Sequence, residues 1–171
     1  GCGTGQYNDE TSQSSCKECN AGQYNDQTSQ TSVSSCKDCD RGNYNEQTGQ
    51  TSVAGCKECS RGQYNDETSQ SSCKNCAAGL YTDQTSVIKC KECSIGKYND
   101  QQSVTESVTV PVVSCKECSI GKYNDQIGQS TCAGCIAGKY SDQTFSIDCK
   151  NCAAGRYSRQ KGASSRYSCL L

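Results

Sequence analysis

The 171-residue chain has no histidine, methionine or tryptophan, a single phenylalanine and a single proline. Each absence excludes something. Without histidine there is no imidazole base, no Ser-His or Cys-His pair and no His-ligated metal centre. No carboxylate pair, activated nucleophile or phosphate loop stands in its place, so the chain reads as a non-enzyme. Hydrophobic residues make up 32%, much of it Cys and Tyr, so Leu, Ile, Val and Phe are too few for one oily core. No apolar run approaches the ~18 residues that cross a bilayer, so this segment is not expected to insert into a membrane. The charges, 17 basic and 18 acidic, are interspersed. No basic stripe points to nucleic acid or to an anionic membrane. The opening GCGTGQYND is neither a signal peptide nor an initiator start; it reads as a mature product or as part of something longer.

Cysteine is what the chain has in quantity, 18 residues of 171. Such a density marks a disulfide scaffold. With so little apolar surface to bury, the chain is either disordered or covalently constrained.

One motif repeats throughout: C-x-x-G-x-Y-[NTS]-[DE], a polar loop, then C-x-x and the next C. The units span 2–18, 19–38, 39–58, 59–75, 76–92, 93–117, 118–134, 135–151 and 152–169, a single tandem array over 1–171. The basic period is 17 residues, and extra residues fall late in the loop, as in QTSVSS (Gln30–Ser35), QTSVAG (Gln50–Gly55) and SVTESVTVPVVS (Ser103–Ser114). Insertions confined to one place mark surface loop tips. No helical apolar stripe occurs, and Gly, Asn, Asp and Ser punctuate every unit. The expected fold is a set of small disulfide-rich repeats: an elongated rod of nine short irregular β-hairpin loops with little or no helix.

Three chemistries suit closely spaced cysteine pairs. Zinc would need four thiolates per site, and the eight Cys-x-x-Cys doublets would leave Cys2 and Cys169 over. Redox catalysis would need a doublet at a helix start in a βαβ setting, and there is none. Disulfide staples use every cysteine if the second Cys of each doublet pairs with the first of the next. Spacing leaves open pairings that cross between neighbouring units.

The frame C-x-x-C-x-x-G-x-Y-x(n)-C-x-x-C, from Cys2 to Cys169, resembles the cysteine-rich repeats of ephrin-receptor-like type, and its half-modules are similar to those of tumour-necrosis-factor-receptor ectodomains. Where those families often have Pro after the doublet, this chain has Ala, Ser, Asp, Arg or Ile. The resemblance implies an extracellular module, found in receptors, matrix proteins and surface proteins of algae and other protists. It also implies sequential bridges: Cys2–Cys16, Cys19–Cys36, Cys39–Cys56, Cys59–Cys73, Cys76–Cys90, Cys93–Cys115, Cys118–Cys132, Cys135–Cys149 and Cys152–Cys169. Disulfides themselves require an oxidising compartment, extracellular or at the cell surface.

The tyrosines of the frame, Tyr7, Tyr24, Tyr44, Tyr64, Tyr81, Tyr98, Tyr123, Tyr140 and Tyr157, read as a structural aromatic ladder packed on the disulfides. The glycine two residues earlier reads as a turn position. Two residues after each tyrosine stands Asp9, Asp26, Glu46, Asp66, Asp83, Asp100, Asp125 or Asp142, with Arg159 breaking the row. These carboxylates suit Asx-turns; calcium is the alternative, but one carboxylate per unit rarely supplies a coordination shell. No cofactor is otherwise implied. The Lys-Glu dipeptides inside the doublets read as solvated linkers. There is no N-glycan sequon, and Thr28, Thr31, Thr48, Thr51, Thr105 and Thr109 are candidate O-glycan sites or plain solvated tips. The insertion Val104–Val113 alternates like a half-buried strand and suggests a subunit contact.

The functional expectation is a structural extracellular protein, a subunit or segment of a fibril, surface appendage or matrix rod. Its partners would be copies of itself or further repeats end to end, with covalent glycans. The alternative is the stalk or ligand-binding region of a receptor-like surface protein, with Val104–Val113 and Arg156–Arg166 as its divergent stretches.

Overall fold

A computed structural model describes residues 1–10, 14–100 and 113–170. Most of the Val104–Val113 insertion, with Thr105 and Thr109, lies outside the described residues. The chain forms two compact units, Gly1–Asn75 with Gln84–Cys90, and Cys76–Asp83 with Lys91–Leu171. Both are built from the same hairpin.

In the first unit Gln6–Tyr7 pairs with Lys17–Glu18, Gln23–Tyr24 with Lys37–Asp38, Asn43–Tyr44 with Lys57–Glu58, and Gln63–Tyr64 with Lys74–Asn75. In the second, Leu80–Tyr81 pairs with Lys91–Glu92, Lys97–Tyr98 with Lys116–Glu117, Lys122–Tyr123 with Ala133–Gly134, and Lys139–Tyr140 with Lys150–Asn151. All are antiparallel two-stranded sheets. The dipeptide between the two cysteines of a doublet is therefore a strand, where the sequence reading had a solvated linker. Register places the doublet's lysine opposite the frame tyrosine in seven hairpins, with Ala133 opposite Tyr123 in the eighth.

Two-residue strands do not hold by themselves. A tight turn opens each hairpin, and a disulfide ties its loop shut. In the second repeat Gln23 N–H donates to Asn20 C=O at 3.0 Å, with Gly22 at φ +85° in the third turn position. A type II turn requires that positive φ. Cys2–Cys16, Cys19–Cys36, Cys39–Cys56 and Cys59–Cys73 are bridged in the first unit. Cys93–Cys115, Cys118–Cys132, Cys135–Cys149 and Cys152–Cys169 are bridged in the second. Cys76 and Cys90 are disulfide-bonded as well, and no described cysteine is free. The cysteines are thus unavailable as thiolate ligands.

Where the loop is three residues longer, the extra length is taken up by a single 3₁₀ turn against the closing cysteine: Val33–Ser35, Val53–Gly55 and Arg166–Ser168. Cys36, Cys56 and Cys169 each donate a backbone N–H into that turn.

Among the described residues the buried positions are cysteines, chiefly those that open a repeat, most frame glycines, Ala163, and the small polar residue that follows the tyrosine at Asn25, Asn45, Asn65, Thr82, Asn99, Asn124, Ser141 and Ser158. The frame tyrosines are half-buried, and Tyr157 is 52% exposed. The interior is covalent and hydrogen-bonded rather than oily.

Candidate functional site

With no catalytic constellation to describe, the site is the device that joins one repeat to the next. Asn25 shows it completely. Its side-chain Nδ2 donates to Gln6 C=O in the preceding repeat, and Oδ1 accepts from Gln27 N–H in its own, each at 3.0 Å. Its backbone N–H donates to Gln50 C=O in the following repeat, and its C=O accepts from Gly5 N–H. Four groups of one fully buried residue thus bind three repeats, with no polar atom left over. Asn45 does the same, through Gln23 C=O, Gln47 N–H, Gln70 C=O and Gly22 N–H. So does Asn124 in the second compact unit, through Lys97 C=O, Gln126 N–H, Ser146 C=O and Gly96 N–H. The Asx-turn, expected of the carboxylate two residues after the tyrosine, belongs to the asparagine one residue after it.

A second join skips a repeat. Among the described residues the loop tips turn in the left-handed region, at Ser29, Gly49, Ser69, Ser86, Gly128, Phe145 and Gly162. Each donates its N–H to the opening cysteine of the repeat before; Ser69 N–H, for example, reaches Cys39 C=O. For each of these but Ser29, the carbonyl lies against the frame glycine two repeats earlier. A Cβ at Gly22 would lie 2.1 Å from Ser69 O, and one at Gly121 2.2 Å from Gly162 O. Glycine is needed there for space as well as for φ, because backbone cannot give way.

On the outer surface, doublet lysine, tyrosine and acid form a recurring trio. Lys37 Nζ is 2.7 Å from Asp26 and lies 5.9 Å from the centre of the Tyr24 ring. Lys116 repeats this with Asp100 at 2.8 Å and Tyr98 at 6.0 Å. Lys17–Asp9, Lys57–Glu46, Lys74–Asp66, Lys91–Asp83 and Lys150–Asp142 are paired in the same way. The lysine hydrogen bond holds the carboxyls of Asp9, Asp26, Asp66, Asp100 and Asp142 below the ordinary carboxylate range. The same bond raises Lys17, Lys37, Lys57, Lys74, Lys91, Lys116 and Lys150. The acidic row therefore faces ammonium groups, and among the described residues no cluster of His, Cys, Asp or Glu converges as a metal site. At Asp125 the register position holds Ala133 in place of lysine.

Thr28, Thr31, Thr48 and Thr51 are all exposed on loop tips. The Thr48 hydroxyl donates to the Glu18 carboxylate, so a glycan there would displace a hydrogen bond between repeats. Sequence reasoning used the asparagines only to exclude N-glycans. The signal for their role was present: a small hydrogen-bonding residue, Asn, Thr or Ser, follows every frame tyrosine.

Residues 49–87 match the family described as tyrosine-protein kinase ephrin type A/B receptor-like. The matched stretch includes the Gly62/Tyr64 and Gly79/Tyr81 motifs and their intervening doublet. A search of curated proteins finds no match to the chain.

Proposed function

We propose that the chain is a structural extracellular repeat protein, a subunit or segment of a fibril, surface appendage or matrix rod, with O-glycans on its threonine tips. The observation that carries this reading is the monotony of the joins. The same backbone bonds recur from repeat to repeat, a buried amide sits in the joins of Asn25, Asn45 and Asn124, and the surface between them is a recurring lysine–acid lattice. Such a surface offers rigidity along the array and little chemistry to a ligand. The disulfides and the ephrin-receptor-like match support the compartment.

The reading as a receptor-like stalk or ligand-binding region has one observation in its favour. Ile95, Ile120, Ile127, Ile136, Phe145 and Ile147 in the second compact unit are between 38% and 58% exposed, more of them than the exposed Val33, Val53 and Ile88 of the first. Arg41 and Arg61 occupy the position of Ile95 and Ile120 in two repeats of the first unit.

The test has two parts. Immunogold labelling of the source cells with antibody against the oxidised protein should decorate extracellular fibres or matrix. Intact mass before and after reduction should give the full complement of bridges, with hexose increments on the native material. Labelling confined to the plasma membrane would favour the receptor reading, and labelling inside the cytosol would overturn both.

A further inference from the structure

We infer that the groove between the eighth and ninth repeats is a binding site for an acidic polysaccharide, a sugar chain carrying carboxylate or sulfate groups. The inference rests on the structural extracellular reading above and names a matrix partner for it. The groove is a surface recess of about 420 Å³ in the second compact unit, within the size range of small-ligand sites. Tyr140, Asn151, Arg156, Arg166 and Tyr167 line it, and among the described residues no carboxylate does. Asn151 takes the place that Glu18, Glu58, Glu92 and Glu117 hold in other doublets. The Arg166 guanidinium lies 5.2 Å from the centre of the Tyr167 ring and donates to its hydroxyl at 3.3 Å. Cation and aromatic face are thus held side by side at the rim, with the half-buried Tyr140 ring on the eighth repeat.

The recess belongs to the repeat and not to its place in the array. Tyr98, Ser119, Lys122 and Cys132 line a smaller recess of about 240 Å³ at the sixth and seventh repeats, and they are the counterparts of Tyr140, Ala153, Arg156 and Cys169. Two further repeats follow that recess in the chain, and it stays open. The positions of Arg166 and Tyr167 are open in the first compact unit as well. Val33 and Val53, which begin 3₁₀ turns as Arg166 does, are 50% and 63% exposed, and Ser34 and Ala54 beside them are exposed. Those turns form with Val-Ser and Val-Ala, so the turn itself does not require Arg-Tyr. The ninth repeat departs from the period where its side chains face the recess.

Charge points to the same ligand. The ninth repeat carries Arg156, Arg159, Lys161 and Arg166 and no acid, whereas each of the other eight carries at least one acid. Elsewhere the doublet lysine is matched by the acid beyond the tyrosine. Here Arg159 stands in the place of that acid, and among the described residues Arg156, Arg159 and Arg166 are in no ion pair. The Asp142 carboxyl, held low by Lys150 and then by Arg166, is already bonded to Lys150 Nζ at 2.6 Å. A guanidinium fork grips a carboxylate or tetrahedral oxyanion through two parallel N–H bonds. The rings of Tyr140 and Tyr167 offer flat apolar faces to the C–H faces of a sugar. A membrane would need a broad basic or apolar face in place of a recess between hairpins. The bridges require an oxidising compartment. Outside the cell the bulk polyanions are acidic sugars and not nucleic acids.

The experiment titrates the oxidised 171-residue chain with oligogalacturonate, dextran sulfate and neutral dextran of matched length, by calorimetry and by the chemical shifts of the tyrosine ring protons. A dissociation constant between about 10 μM and about 1 mM for at least one acidic sugar, rising with added salt, is expected, with none for neutral dextran. The Tyr167 ring protons should shift on binding. Preference for the uronate or for the sulfated chain supports the inference either way and assigns the anionic group. Arg166→Val and Tyr167→Ser, which restore the residues of the second repeat at Val33 and Ser34, should each weaken binding at least about tenfold with an unchanged disulfide count by mass. Arg41→Gln, an exposed arginine of the first compact unit, should leave binding unchanged. Absence of binding up to about 10 mM sugar overturns the inference. So does an equal loss in Arg41→Gln, which would reduce the effect to net charge. Equal affinity for poly-glutamate or oligothymidylate of matched charge also overturns it and assigns an acidic peptide or a nucleic acid instead. Extracellular fibre labelling without sugar binding would leave the structural reading standing and remove this site. Sugar binding blocked by both variants in a protein labelled in the cytosol would do the reverse.

Discussion

Asn25 is an unusual choice for the centre of a small fold, because burying an amide is costly unless every one of its groups is bonded. Here every group is bonded, and the bonds together reach three repeats. Replacement by alanine removes two side-chain bonds and leaves Gln6 C=O and Gln27 N–H without those partners beside a buried position. The expected cost of Asn25→Ala is about 3 kcal/mol, seen as roughly hundredfold faster exchange of the Gln27 amide and its neighbours in the oxidised protein. Unchanged exchange would mean that water replaces the amide freely. Units eight and nine carry serine at this position. Ser141 Oγ reaches only Gln143 C=O and Ser146 Oγ, both within its own repeat, and Ser158 Oγ meets only Gln160. Ser141→Asn should restore the peg to the preceding repeat and stabilise that join by about 1 kcal/mol, read as slower exchange of the Ser141 and Gly121 amides.

At the level of the hairpin, the strand pair is short and the turn and disulfide hold it. The lysine that crosses from the second strand to the acid beyond the tyrosine adds an electrostatic clasp on the open side. Its pH dependence follows from the shifts. Carboxyls held low contribute stability that is present above the ordinary carboxylate range and lost as pH falls through their lowered values. Lysines held high contribute stability that is present below the ordinary lysine range and lost as pH rises through their raised values. Stability of the oxidised protein against denaturant should therefore be flat around neutrality and soften at both acid and alkaline extremes. The softening should be small, since the pairs are exposed, and smaller still in molar salt. A transition near neutral pH would contradict this account, since the pairs contain no group that titrates there.

For the whole chain the covalent term dominates. Each bridge closes a loop whose entropy is worth about 3 kcal/mol in the chain-entropy account, and the repeats have almost nothing apolar to replace it. Reduction without denaturant should abolish amide protection in both compact units, not only near the bridges. Persistent protection at the Asn45 and Asn124 amides after full reduction would show that the hydrogen-bonded joins suffice alone. The joins run between sequential repeats and between alternate ones, so loss should spread from an opened repeat to the next two.

The amino-acid sequence determined the class of fold. Cysteine density, missing aliphatics and a strict Gly-x-Tyr frame admit small disulfide-rich hairpins and no globular core, because no other term is available to offset chain entropy. It also marked the frame glycines as turn positions, since a glycine at a fixed offset signals a backbone shape. The tertiary structure decided what those glycines and the following asparagines face. The Ser69 carbonyl over Gly22 and the Asn25 amide on Gln6 are contacts between different repeats. A period shows that residues are equivalent, and it does not show which equivalent residues touch. The same holds for the lysine of the doublet, whose partner lies across the strand pair and not beside it in the chain. Only the stagger of one repeat on the next, set by backbone hydrogen bonds that every residue type makes alike, fixes those partners.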